Sequence, residues 1–186
     1  MKRIRLDPDV YKQGMCFSLT LATADRDSVF SDAKLVDACI AELNVTAAKY
    51  SLSVFAYCFM PDHLHMLAAA PEGVSMLNAV RHFKQLTSFR FRSLPQYRGE
   101  ALWQHSFYDH ALRKEEDINV VAEYVWGNPV RAGLVVDINA YPHWGSCVWG
   151  RQELSGSEDP DLQSRRIRNE MEDVGEGLQT LARQRN

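Results

Sequence analysis

A chain of 186 residues, 46% apolar and 24% charged, has the material for one real core with an appendage, and its composition is that of an ordinary globular protein. No apolar run reaches the roughly 18 residues a membrane span needs, and the basic start Met1-Lys2-Arg3-Ile4-Arg5 leads into no apolar signal core. Cytoplasmic residence with no membrane partner is expected. A net charge of −3 gives no global attraction to nucleic acid.

Charge is nevertheless unevenly laid out. Between Arg81 and Arg98 every charge is positive, whereas acidic residues collect at Glu115-Glu116-Asp117 and Glu158-Asp159. That stretch reads equally as a local basic surface or as a solvated helix face. The cysteines, Cys16, Cys39, Cys58 and Cys147, lack Cys-x-x-Cys spacing and sit in apolar contexts. Buried free thiols are expected rather than disulfides or a zinc cluster.

Taken in order, Met15 to Thr23 alternates as a strand does. Ser31 or Asp32 can cap a helix running to about Tyr50, with Leu35, Val36, Cys39, Ile40 and Leu43 on its apolar stripe. Two short strands follow, Val54 to Met60 and His63 to Leu67, broken at the turn pair Pro61-Asp62. Ser75 can cap a second helix that ends near Ser93-Leu94-Pro95, and Phe107 to Arg113 suits a fourth strand. Glu115 to Trp126 is helical, and Asn128-Pro129 looks like a helix restart, with Asn as cap, Pro in the first turn and Gly133 as the stop. The order βαββαβ predicts an α+β fold: a ferredoxin-like antiparallel sheet with helices on one face and the last helix crossing near the central strands.

Residues 1–149 are assigned to this one domain. From Gly150 to Asp161 the chain reads as a linker, and beyond it Ile167, Met171, Val174, Leu178 and Leu181 mark an amphipathic helical tail. The tail can dock on the domain, pair two copies into a homodimer, or lie on DNA through Arg165, Arg166 and Arg168.

Chemistry is concentrated on the third strand. Side chains alternate along a strand, so His63 and His65 project from one side while Leu64 and Met66 take the other. Neutral imidazole is a common metal ligand and a strand fixes its direction, although His-x-His alone is as a rule incidental. Tyr124, on the later helix, taken alone reads as a half-buried packing residue.

Together these segments carry a resemblance. Met60-Pro61-Asp62-His63-Leu64-His65, Trp103-Gln104, the run from Phe107 to Arg113, and the run from Tyr124 through Asn128-Pro129-Val130-Arg131-Ala132-Gly133 to Val135 resemble the REP-associated tyrosine transposases, single-tyrosine HUH nucleases related to small insertion-sequence transposases. The likeness covers roughly Gly14 to Ser146. It implies that His63 and His65 bind Mg²⁺ or Mn²⁺, and that Tyr124 attacks a DNA phosphodiester to leave a 5′-phosphotyrosine and a free 3′-hydroxyl. It implies further that Asn128 can complete the metal site, in competition with its capping role, and that the substrate is single-stranded or hairpin DNA.

Further site candidates follow from the residues. On the second helix Arg81, Lys84, Arg90 and Arg92 can hold phosphates and Phe89 can stack a base, Phe83 and Phe91 being core. His110 and Asp109 are secondary candidates for the metal or phosphate pocket, with simple hydrogen bonding as the alternative. Asp62 reads as a turn former. His143, between Pro142 and Trp144, departs from the family pattern and leaves the packing of that closing segment open. Two rival functions stand beside the nuclease: a non-cleaving hairpin-binding protein, and a metal-dependent hydrolase that uses water.

Overall fold

The structure, a computed structural model, describes residues 7–97, 101–113 and 116–149. The expected tail of residues 150–186 lies outside the described residues. Strand β1 (Cys16–Ala22) leads to helix α1 (Ala33–Tyr50), whose first amides are met by the Asp32 carboxylate through Lys34 and Leu35 N–H. Strands β2 (Ser53–Met60) and β3 (His63–Ala69) form the hairpin around Pro61-Asp62. Helix α2 (Met76–Ser93) starts at Ser75, whose hydroxyl accepts from Asn78 N–H. Strand β4 (Tyr108–Ala111), helix α3 (Ile118–Trp126), the single turn α4 (Asn128–Arg131) and a two-residue strand β5 (Trp144–Gly145) complete the set.

The sheet order is β4-β1-β3-β2-β5, with every pairing antiparallel. Its first four strands are the ferredoxin-like arrangement that the βαββαβ order predicts. Strand β5 was not expected. It adds to the open edge of β2 and closes the segment whose packing the sequence left undecided. Phe59 N–H donates to the His143 carbonyl at 2.8 Å, and the Tyr141 hydroxyl donates to the Phe59 carbonyl at 2.7 Å.

The sheet divides two cores. On one face α1 and α2 cover Phe17, Leu19, Leu21, Leu64, Met66 and Ala68. On the other, α3 brings Ala122, Val125 and Trp126 down on Phe55, Cys58, Met60, Leu67 and Ala69. A bulge between Val54 and Ala56 sets Phe55 and Ala56 together on the α3 face, which keeps the alternation in register beyond it.

Trp126 fastens α3 to the sheet. Its ring is buried, it meets Trp144 edge-on, and its indole N–H donates to the Gly145 carbonyl at 3.0 Å. Trp126→Ala removes that packing and the indole's bond to Gly145, so denaturant unfolding is expected to show a loss of about 3–5 kcal/mol. A loss under about 0.5 kcal/mol, the range of an ordinary surface change, would mean that α3 is held some other way.

All four cysteines are free, as expected. Burial pushes the thiols of Cys16, Cys39 and Cys58 up to about 12 and that of Cys147 up to about 11, so at neutral pH they are uncharged packing groups.

Candidate active site

Strand parity puts His63 and His65 on the α3 face of the sheet, with Leu67 and Ala69. Their rings meet at 85°, and the two Nε2 atoms stand 3.0 Å apart. Each outer nitrogen has its own partner. His63 Nδ1 lies 2.5 Å from the Asp62 carboxylate, and His65 Nδ1 lies 3.1 Å from the Thr20 hydroxyl on the neighbouring strand. A carboxylate at Nδ1 fixes the proton there and leaves the Nε2 lone pair facing inward, the usual outer-sphere support of a metal-binding histidine.

Without an ion, His65 Nε2–H can donate to His63 Nε2 across the 3.0 Å gap; with that proton moved to Nδ1, both lone pairs turn inward towards a shared cation. Two ligands at right angles on one ion, with bonds of roughly 2.1 Å, stand about 3 Å apart. The donor pair therefore fits a small divalent cation. Among the described residues no group of three His, Cys, Asp or Glu side chains gathers as a metal site. The remaining positions would fall to an amide oxygen, water or substrate phosphate, the pattern typical of Mg²⁺. Cys58 is the cross-strand partner of His65 but stays protonated.

Asp62 is more than a turn residue. Burial pushes its carboxyl up, but the hydrogen bond and charge of His63, with those of Arg26, more than offset that and hold it below the usual range. Its backbone carbonyl also accepts from the Thr23 amide and hydroxyl, which ties the hairpin turn to the end of β1.

Burial is the main cause that pushes His65 down from 6.5 to about 4, with His63, Arg131 and Arg26 adding to it and Asp62 opposing. His65 is therefore neutral, and ready as a ligand, at physiological pH. In the metal-free protein the unfolded chain binds more protons than the folded one between these two values. Stability is expected to fall as pH drops from about 6.5 towards 4. Urea unfolding at stepped pH should show a shallower decline in His65→Gln; an unchanged decline would exclude His65 as its source.

Tyr124 stands on α3, on the same sheet face as the histidines, with its ring 57% exposed while Ala122, Val125 and Trp126 point inward. Arg131 links the two halves of the site. Its guanidinium lies over the Tyr124 ring, 3.9 Å from the centroid, and its charge is among those that oppose protonation of His65.

Asn128 is not the cap of the restarting helix. Gly127 holds that position, with no side-chain cap. The Asn128 amide nitrogen turns back instead and donates to the Tyr124 and Val125 carbonyls at 3.2 and 3.0 Å. The end of α3 thus has its open carbonyls met by this side chain, and any ligation would use Asn128 Oδ1.

The secondary candidates separate by face. His110 pairs across from Ser18, on the side of Thr20 and His65, but both oxygens of Glu116 lie at 2.9 and 3.0 Å from its Nε2. Asp109, expected in the same pocket, is on the opposite face. It pairs across from the core residue Leu19 and accepts from the Tyr11 hydroxyl at 2.6 Å. One step along a strand reverses the side, and adjacent residues cannot both serve one pocket.

Helix α2 packs with α1 on the face away from the histidines. Arg90 pairs at 2.7 Å with the buried Glu42, and Lys84 donates to the Gln104 and His105 carbonyls. Arg81 bonds to Asn78, while Arg92 is exposed and Phe89 is 68% exposed. Thr20 and Arg131 were not among the expected site residues. Alternation along β1 could have pointed to Thr20; Arg131 lay inside the resembling motif without a role.

Residues 12–128 match the family model described as "Transposase IS200 like". The chain belongs to the IS200-like transposase family. Within that family it is similar to a Haemophilus influenzae protein provisionally named REP-associated tyrosine transposase, 30% identical over 109 residues, 53% of this chain and 61% of that protein. It is also similar to the REP-associated tyrosine transposase of Escherichia coli K12, 26% identical over 92 residues, 47% of this chain and 50% of that one. The matches thus span between half and three fifths of these relatives. A solved REP-associated tyrosine transposase bound to a REP hairpin shares the fold, with a TM-score of 0.62 at 20% identity over 77% of this chain and 82% of that one. Among the described residues of this IS200-like family member no helix is long and apolar enough to cross a membrane.

Proposed function

We propose that the protein is a metal-dependent single-strand DNA endonuclease and strand transferase that acts on hairpin-forming repeats, with Tyr124 as the nucleophile. One observation carries the reading. Two imidazoles present their Nε2 atoms 3.0 Å apart, held from behind by Asp62 and Thr20, on the sheet face that α3 covers. Pure DNA binding has no use for such a pair. Family membership supplies the reaction class, and the REP-associated relatives supply the substrate class.

In this reading the Tyr124 oxygen attacks phosphorus as it gives up its proton, and the bond to the 3′-oxygen breaks. The 3′-oxygen leaves as a hydroxyl and the 5′-phosphate remains on the ring. Energy is conserved in the new ester, so a second 3′-hydroxyl can later displace the tyrosine and rejoin strands. Bound Mg²⁺ or Mn²⁺ supplies positive charge that polarises the non-bridging phosphate oxygens. His63 and His65 hold that ion through Nε2, Asp62 and Thr20 orient them, and Asn128 Oδ1 is assigned as the third protein ligand. Arg92 and Phe89 contact DNA from the C-terminal half of α2 and Arg81 from its N-terminal half, while Lys84 and Arg90 chiefly secure the fold. His110 serves Glu116 rather than the metal. This reading assigns all these groups to one copy of the chain, and the enzyme works on DNA in the cytoplasm.

The test is incubation with single-stranded hairpin oligonucleotides, labelled at one end or the other, with and without Mn²⁺. The proposal expects a denaturation-resistant protein–DNA adduct that carries the 3′ portion of the strand, and a released fragment with a 3′-hydroxyl. Binding without an adduct would favour the non-cleaving reader, and cleavage without an adduct would favour attack by water.

A further inference from the structure

Gly127 joins α3 to α4 with φ −71° and ψ 0°, a conformation open to any residue, so the backbone does not call for glycine there. Space does. A Cβ at this position would stand 2.7 Å from Arg131 Nη1 and 3.2 Å from the Glu123 carbonyl oxygen. The Arg131 side chain runs back across the bare glycine, against the chain direction. It ends with its guanidinium over the Tyr124 ring and Nη2 donating to the Tyr124 carbonyl.

The consequence is mechanical. An exposed ring on a helix surface exchanges rotamers freely, whereas attack at phosphorus needs the reacting oxygen held close and aligned. A guanidinium is planar and can stack on a ring face while donating in its own plane; an ammonium cannot do both equally well. We propose that Arg131, seated through the gap that Gly127 leaves, is a positioning residue that clamps the Tyr124 ring in one orientation for attack on the DNA phosphate. The inference rests on Tyr124 being the nucleophile.

The test compares Gly127→Ala, Arg131→Ala, Arg131→Lys, the Gly127→Ala/Arg131→Ala double variant and Tyr124→Phe. Adduct formation is timed at saturating hairpin oligonucleotide with Mn²⁺, and oligonucleotide affinity and melting temperature are measured separately. Arg131→Ala is expected to slow adduct formation about tenfold or more, with affinity within about twofold of the parent. Arg131→Lys recovers part of the rate. Gly127→Ala keeps every charge yet slows the reaction to a similar degree, and the double variant is no slower than Arg131→Ala, because both changes undo one contact.

Parental rates in either single variant, a loss in affinity rather than rate, a rate loss that merely follows lost stability, or multiplying effects in the double variant would each overturn the clamp. An adduct that persists in Tyr124→Phe would overturn the nucleophile assignment and the clamp with it. An adduct lost in Tyr124→Phe but formed normally by Arg131→Ala overturns the clamp alone.

Discussion

Tyr124→Phe is expected to lower nicking by more than about 10³-fold and to remove the covalent adduct, while hairpin affinity stays within about twofold. The substitution deletes one oxygen and nothing else. The ring is 57% exposed and its Oη has no place in the core, so folding stability should move by less than about 0.5 kcal/mol. Arg131 keeps the ring face on which it rests. Gel assay of the adduct beside an equilibrium binding titration separates chemistry from recognition. Cleavage at the parental rate would take the nucleophile's role from Tyr124 whatever its family position suggests.

The second large effect concerns the imidazole pair. His63→Ala or His65→Ala should slow nicking about 10²–10³-fold, because the charge that stabilises the phosphate in the transition state can no longer be held in place. Excess Mn²⁺ should not restore the rate, since one remaining imidazole cannot set the position of the ion. The two variants leave different remnants. Without His63, Asp62 keeps its bond to Arg26; without His65, Thr20 and His63 Nε2 each lose a partner. Neither leaves an unpaired buried charge, so both should fold. Calorimetric titration with Mn²⁺ should show affinity weakened in each, and unaltered affinity would mean that the ion binds elsewhere.

Much of this was legible because local rules agreed with one another. Asp32 and Ser75 cap the helices they were expected to cap, and Asp117 starts α3 by accepting from Asn119 N–H. Strand alternation placed His63 and His65 side by side, and helical spacing placed Phe83 and Phe91 in the core. What stayed hidden depended on partners distant in the chain. Two residues of β5 carry no periodicity of their own, and only the free edge of β2 makes them a strand. Apolar spacing shows which side of α2 is buried, but not that the sheet stands between its basic residues and the histidines. Asp109 and His110 look equivalent in sequence, and only the register against β1 assigns them opposite faces.

Arg131 illustrates the same limit at atomic scale. A glycine before Asn128-Pro129 looks like a helix stop, and its conformation does not demand one. Only the path of a side chain four residues later shows what the missing Cβ makes room for.

The most direct measurement is peptide mapping by mass spectrometry of the adduct trapped on a hairpin oligonucleotide in Mn²⁺. The account predicts a single modified peptide, with a 5′-phosphorylated DNA remnant esterified to the oxygen of Tyr124, and none in protein lacking both His63 and His65. A remnant on any other residue, or one joined through a 3′-phosphate, would contradict it.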